Sequence, residues 1–326
     1  MGETVVLTRR DVSEHLPLDE CIEAVEEGFR LHAEGKSLAP GVLGVPSREG
    51  GFHVKAAGLH RGRVYFAAKV NANFPGNPRR HGLPAIQGVI VLCDAEDGRL
   101  LALMDSMEVT LRRTAATTAV AARRLARPDS DTVTVCGCGV QGAAQLRALA
   151  RVLPLRAAYA FDTDAARAAA FARELSDELE LDVRAAGALE EALAKSTVCV
   201  TCTPSRQPIL FRAQVAPGTF VAAVGADSPD KQELDPALMG AATVVADVLE
   251  QCAVIGDLHH ALLAGAVRKE DVAELADVIL GRRPGRRSPE EITVFDSTGT
   301  AIEDVAAAAL VYEKAAGAGL RVALGE

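Results

Sequence analysis

The sequence predicts an α/β protein: a parallel, helix-covered sheet preceded by a mainly antiparallel one. Three observations predict it. After residue 130, short apolar runs alternate with helical stretches, the pattern of strands buried on both faces. Before residue 106, strand-like runs follow one another closely and include a hairpin signal. Between the two lies an Ala/Thr/Arg-rich helix closed by Arg127-Pro128-Asp129-Ser130, where proline removes a helical donor and biases its predecessor away from helix.

The elements follow in order. Leu18, Cys21, Ile22, Val25 and Phe29 recur at helical spacing over residues 18–34, and Gly35 stops the helix. Strand-like runs cover residues 51–57, 63–70, 87–93 and 100–105. Asp97-Gly98 turns the chain between the last two, because glycine accepts the positive φ of such turns. The early third therefore reads as a mostly antiparallel sheet with one leading helix. The next helix spans residues 108–126, and the break after it marks a domain boundary at 127/128. Beyond it, strands at 133–136 and 157–161 flank a helix at 141–151, and a helix at 165–175 follows. The runs 181–186, 190–195, 197–203, 220–225, 244–248 and 292–295 continue the alternation. Thr300-Ala301-Ile302-Glu303 has capping-box spacing and opens a last helix reaching about residue 316. Packed back on the first third, that helix would make the first domain discontinuous, with residues 1–127 and 300–326 enclosing 128–299.

Composition narrows the function. The chain has 326 residues, 49% hydrophobic and 24% charged, as in soluble globular proteins. A net charge of -9 argues against nucleic acid or an anionic membrane as partner. No apolar stretch is long enough to span a bilayer, and Met1-Gly2-Glu3-Thr4 does not open a signal peptide. Seven cysteines, an odd number, fit free thiols in a reducing compartment, so the expected location is cytoplasmic.

The most specific motif is Cys136-Gly137-Cys138-Gly139-Val140-Gln141-Gly142. Its GxGxxG pattern means little alone among 28 glycines, but here it follows a strand and opens a helix, the context that dinucleotide binding requires. Gly137 permits the tight turn, Gly139 lets backbone approach a pyrophosphate, and Gly142 lets helix and strand pack closely. The helix start, with Val140 and Gln141, presents free N–H groups to phosphate. Asp162 ends the next strand, where a carboxylate binds the ribose 2′-hydroxyl and repels a 2′-phosphate. NAD is therefore favoured over NADP, although Arg167 nearby is able to accept a phosphate.

Candidate chemistry lies elsewhere too. Alternation along residues 63–70 puts Tyr65, Ala67 and Lys69 on one face. Spacing alone favours Lys69 as a solvated strand lysine over a buried cation for a carboxylate or imine. Arg112 and Arg113 point about 100° apart on a helix and cannot both serve one site. Arg113, on the side of Thr110 and Thr117, is either a bidentate carboxylate clamp or a surface ion pair. Asp227 follows a strand at its C-terminal end, where open α/β sheets bind ligands, with Lys231 four residues on. It is either a proton-handling acid or a helix cap. Cys136/Cys138 and Cys199/Cys202 have metal-like spacing but sit at apolar strand ends, where small buried thiols are common, so no metal is expected. His259-His260 reads as a surface pair, and residues 282–287 as an exposed arginine-rich loop.

Taken together, these segments resemble the ornithine cyclodeaminase/mu-crystallin family. The likeness rests on Lys69-Val70-Asn71 with Pro75-Gly76-Asn77, Gly82-Leu83-Pro84 and Thr110-Leu111-Arg112-Arg113-Thr114-Ala115-Ala116. It continues through Leu125-Ala126-Arg127-Pro128, the Gly137–Gly142 loop, Val224-Gly225-Ala226-Asp227 with Lys231, and Phe295-Asp296-Ser297-Thr298-Gly299. The resemblance implies a Rossmann-type dinucleotide-binding domain inserted into a discontinuous α+β substrate and dimerisation domain, in a homodimer. It implies NAD-dependent hydride transfer at the α-carbon of a small amino or imino acid, by a dehydrogenase or cyclic imine reductase. Ornithine cyclodeamination is the alternative, and a mu-crystallin-like ligand-binding protein is the reading of another class. Lys69 and Arg113 then match carboxylate-binding positions, which overturns the solvated reading of Lys69. Asp227 matches the catalytic acid/base position, and Thr203 and Ser297 fall near the nicotinamide end of the cofactor. One departure concerns Phe52-His53-Val54-Lys55-Ala56-Ala57, where many members carry Met-Pro, and an upstream arginine has no counterpart in residues 38–45. Either Lys55 supplies that charge or the substrate is not ornithine.

Overall fold

The structure is a computed structural model and describes residues 3–323. It divides into two compact units, one of residues 1–116 with 300–326 and the other of residues 117–299. The division passes between Ala116 and Thr117, inside the Ser106–Leu125 helix rather than at the proline break. A helix is continuous in hydrogen bonding, so its two halves can pack in different cores with no signal in the sequence.

In the first unit the strands are β1 (Thr4–Leu7), β2 (Ser37–Ser47), β3 (Gly50–Arg61), β4 (Arg63–Asn73), β5 (Ile86–Asp94) and β6 (Leu100–Asp105). With Leu320–Val322 they form a sheet in the order Leu320–Val322, β1, β6, β5, β4, β3, β2. All its pairings are antiparallel except β1 with β6. The hairpin between β5 and β6 turns at Gly98, at φ +78. Two helices lead into the long strands, not one. Arg9–His15 starts at a Thr8/Asp11 capping box, and Leu18–Ala33 buries Cys21, Ile22, Val25 and Phe29. β2 escapes a sequence reading because Pro40, Gly41, Gly44 and Pro46 interrupt it. It survives as a sheet edge, where a missing N–H costs no ladder bond.

The Ala301–Lys314 helix covers one face of this sheet and is buried from Ala301 to Val311. Its capping box forms as its spacing predicts. The Thr300 hydroxyl accepts the Ile302 N–H at 3.2 Å, and the Glu303 carboxylate accepts the Thr300 N–H at 3.1 Å. The β4 face carrying Tyr65, Ala67 and Lys69 is buried, whereas Val64, Phe66, Ala68 and Val70 remain half-buried.

The second unit holds β7 (Thr132–Cys136), β8 (Ala157–Phe161), β9 (Asp182–Ala185), β10 (Val198–Thr201), β11 (Arg206–Leu210), β12 (Phe220–Ala223), β13 (Gln232–Leu234), β14 (Thr243–Ala246), β15 (Ala273–Glu274) and β16 (Thr293–Asp296). Eight of them form a wholly parallel sheet in the order β15, β14, β16, β12, β10, β7, β8, β9. β11 and β13 make a separate parallel pair. The chain runs outward from β7 through β8 to β9, then restarts at β10 on the other side of β7. That reversal is a topological switch point, and open α/β sheets bind ligands beyond the strand ends there. No helix among the described residues is long and apolar enough to cross a membrane.

Candidate active site

In the first unit three cations and two acids meet under the Ala301–Lys314 helix. Lys69 is only 4% exposed, so the solvated reading from spacing alone is wrong. Its Nζ donates to Asp304 Oδ1 at 2.9 Å and to Thr110 Oγ1 at 3.3 Å. Arg113 donates from Nη1 to Glu303 Oε2 at 2.6 Å, and its Nε lies 2.8 Å from Asp304 Oδ1. Arg113 is therefore no surface arginine, and the carboxylates it meets first are the protein's own. Arg112 points elsewhere, to Glu108 and to the Ser13 carbonyl and hydroxyl. Lys55 faces Lys69 across the β3–β4 ladder.

Burial sets the electrostatics. Burial, then the charge of Arg113, pushes the Lys69 ammonium down to about 7, against the pull of Asp304. Burial pushes the Asp304 carboxyl up, but Arg113 and Lys69 outweigh it and hold it below its ordinary value. Three cations, Lys55, Lys69 and Arg113, face two carboxylates, Glu303 and Asp304. At pH values where Lys69 is protonated, the excess of positive charge suits an anion such as a carboxylate. An ammonium has three donors, and two of those on Lys69 have protein partners, which leaves one for an incoming anion.

The second unit presents the glycine loop at the switch point. Gly137 has φ +101, and a Cβ there would stand 2.9 Å from the Cys202 carbonyl oxygen. A Cβ on Gly142 would stand 2.1 Å from the Gly137 oxygen. A Cβ on Gly139 would meet nothing within 4 Å, so space lies open above the loop. Gly139 is the N-cap of the Val140–Val152 helix with no side-chain cap, which leaves its first N–H groups for an anion. Val140 is exposed in the first turn, and Gln141 beside it is half-buried. Asp162 accepts the Cys138 N–H and the Asp164 N–H, each at 2.9 Å, with Arg167 Nη1 3.6 Å away. A carboxylate has about four acceptor sites, so Asp162 can brace the loop and still receive a ribose hydroxyl. These residues fit NAD: an open glycine turn, an uncapped helix start and an acid after β8.

The other expected residues stand at strand ends of the same sheet. Thr203, after β10, gives its N–H and hydroxyl to Glu233 at 2.6 and 2.7 Å. Ser297, after β16, is buried, and its hydroxyl lies 3.4 Å from Asp247 Oδ2. Asp227, after β12, is exposed and ion-paired with Lys231 at 2.6 Å. No helix starts there, which removes the helix-cap reading.

Asp304, Glu303 as a partner of Arg113, and the buried acids Glu233, Asp247, Asp257 and Asp296 escaped the sequence reading. For Asp304 a signal existed: adjacent acids inside the otherwise apolar stretch Ala301–Val311 need buried cations. Cys136 ends β7, Cys138 lies two residues beyond it and Cys199 sits within β10, all three buried, and all seven cysteines are free. Burial and then Asp162 push the Cys138 thiol up to about 12, so it stays protonated. No group of three or more His, Cys, Asp or Glu side chains among the described residues could hold a metal. His259 and His260 are half-buried, next to the carbonyls of Ala253 and Lys231. Within the arginine run, Arg286 is no loop side chain: its Nε donates to the Leu125 carbonyl at 2.8 Å.

Comparison with known proteins adds to this geometry. The ornithine cyclodeaminase/mu-crystallin family profile matches residues 2–319. An alanine dehydrogenase of Archaeoglobus fulgidus is 39% identical over 314 residues, 96% of this chain and 95% of that protein. The solved archaeal alanine dehydrogenase dimer with bound NAD superposes with a TM-score of 0.94 at 38% identity, covering 99% of this chain and 100% of that one. The Δ1-pyrroline-2-carboxylate reductase of Thermococcus litoralis, in complex with NADH and L-proline, superposes at 0.92 with 31% identity, over 98% and 100% of the two chains.

Proposed function

The chain belongs to the ornithine cyclodeaminase/mu-crystallin family, and from that premise we propose that it transfers hydride between NAD and the α-carbon of a small amino or imino acid. The reading is that of an amino-acid dehydrogenase or cyclic imine reductase. The observation that carries it is the buried cation site in which Lys69 and Arg113 share Asp304. Burying Lys69 and Arg113 with Glu303 and Asp304 is costly, and a substrate carboxylate offsets positive charge that these and half-buried Lys55 contribute.

The residues divide the work. Lys69 and Arg113 hold the α-carboxylate, with Thr110 and Asp304 fixing the ammonium and Asp304 and Glu303 fixing the guanidinium. Lys55 adds positive charge from the neighbouring strand. Fixing the carboxylate fixes the α-carbon, which lowers the entropic part of the barrier. Residues 137–142 and Asp162 would hold NAD, which when bound would supply the hydride acceptor or donor. Asp227 orients the substrate nitrogen and holds or releases its proton, with Lys231 ion-paired beside it at 2.6 Å. Thr203 and Ser297, beyond the ends of β10 and β16, would stand near the nicotinamide end of that cofactor.

Homodimer formation belongs to the same reading. Val42, Leu43, Val45, Phe52, Ile86 and Val89 of the first unit are between 37% and 59% exposed, apolar side chains that a second copy of the chain would cover.

The test is incubation with NAD⁺ and a panel of amino acids while NADH and ammonia are both read, then NADH with cyclic and acyclic imino acids. NADH with ammonia marks a dehydrogenase, and imine-dependent NADH oxidation marks a reductase. Ammonia without net NADH would replace this reading by cyclodeamination. Silence throughout, alongside tight binding of a ligand, would replace it by a binding protein.

A further inference from the structure

The segment carrying Asp227 is tied down by acids that the proposed reaction does not use. Glu233 is fully buried in the second unit. Its Oε1 accepts the Thr203 N–H at 2.6 Å and the Thr203 hydroxyl at 2.7 Å, and its Oε2 accepts the Gly225 N–H at 2.8 Å. One carboxylate thus pins the loop after β10 and the loop after β12, the second only two residues before Asp227. The far end of the segment is anchored as well. Asp257 Oδ1 accepts the Glu233 and Leu234 N–H groups at 2.8 and 2.7 Å, and His260 Nε2 lies 2.9 Å from the Lys231 carbonyl oxygen. Asp296 in turn accepts the N–H groups of Asp257 and Leu258.

We propose that Glu233 is a positioning residue for hydride transfer: it holds the Asp227 segment and Thr203 in fixed relation at the ends of β12 and β10. The inference rests on the reading of Asp227 as the group that handles the substrate proton. Three features support it. Glu233 takes three donors on two oxygens, which only a carboxylate of this reach can do. Gly225 is packed so closely that a Cβ there would lie 2.5 Å from Glu233 Oε2, so the loop has no slack at this point. Among the described residues Glu233 has no cationic partner. A purely stabilising buried acid would be expected to have one, whereas an acid selected for its acceptor geometry need not.

The amide of glutamine offers one acceptor and one donor group. Glu233→Gln therefore keeps the volume but sets an N–H against either Thr203 or Gly225. Asp257→Asn is the contrasting change. Only Oδ1 of Asp257 accepts, and its Oδ2 has no partner, so the amide can retain both bonds.

The experiment measures hydrogen exchange over residues 203–210 and 224–234, NADH binding by fluorescence, and steady-state kinetics. In Glu233→Gln, exchange should quicken in those peptides, with kcat falling roughly 10²-fold, the scale set by a misplacement of about 1 Å. Substrate KM should stay within about threefold of wild type, because the Lys69 site is untouched, and NADH affinity should fall less than kcat, because the glycine loop keeps its hold and only Thr203 shifts. Asp257→Asn should remain within about threefold in kcat. Should Glu233→Gln fail to fold, Glu233→Asp, which keeps the charge and retracts it by one methylene, is read the same way. Wild-type exchange and kcat in the Glu233 variant would overturn the proposal. So would equal losses in kcat and NADH binding, or an Asp257→Asn loss as large as that of Glu233→Gln. If the wild type turns over no amino or imino acid, the functional reading fails, and the exchange measurement still decides whether Glu233 tethers the segment.

Discussion

Lys69 sits where protonation and function meet. With its ammonium pushed down to about 7, it is a cation below that pH and loses its charge as pH rises through it. The unfolded chain holds that proton up to the ordinary lysine value of 10.5, so between about 7 and 10.5 the unfolded state binds more protons. This group's contribution to stability therefore grows as pH rises across that window, while its hold on an anion weakens. KM for the anionic substrate should climb as pH is taken from 6 to 9, and a flat KM would remove Lys69 from carboxylate binding. Lys69→Met keeps the stem and removes the charge, and kcat/KM should fall on the order of 10²-fold with NADH fluorescence titration unchanged. Asp227→Asn should lower kcat by about 10²- to 10⁴-fold, the usual span for a lost acid/base group, again with NADH binding intact. Unaltered turnover would take Asp227 out of the chemistry. At this scale the sequence was readable where a residue type has few uses. Gly137, Gly139, Gly142 and Asp162 could be named from spacing. Spacing misjudged Lys69, because a half-buried strand offers two faces and nothing local says which one a distant helix will cover.

At the scale of elements, the glycine loop separates packing from binding. A side chain at Gly142 collides with the Gly137 carbonyl, so Gly142→Val should lower stability by about 1–3 kcal/mol, seen as a lower Tm without ligand. A side chain at Gly139 meets open space, so Gly139→Val should leave that Tm unchanged and weaken NADH binding at least tenfold. The reverse pattern would mean that the loop serves the fold and not a dinucleotide. Strands with strong apolar content, such as β7, β8 and β6, were legible nearly to the residue. β2 was not, since its prolines and glycines speak against a strand unless its edge position is known. Short elements such as β11 and β13 were also missed. They are held by side chains far away in sequence, Asp257 among them, and carry little local preference of their own.

For the whole molecule, the proposed homodimer gives a direct measurement. Analytical ultracentrifugation should return twice the 34.1 kDa chain mass, and replacing Leu43 and Val45 together by Asp should shift it toward a single chain. A monomeric wild type would refute the assignment of that apolar surface. The α/β class and the order of the two sheets followed from the sequence. The seam inside the Ser106–Leu125 helix did not, because helical periodicity runs unbroken through it.

The partnership of Lys69 with Asp304 joins residues 235 positions apart, the second contributed by the last long helix. A ribosome must therefore add 235 residues after Lys69 before the ammonium finds its counter-ion. Until then a nascent chain would carry a β4 lysine with no acid to receive it. The proposed grip on an anion can form only once the last strand of the parallel sheet, Thr293–Asp296, has also been translated.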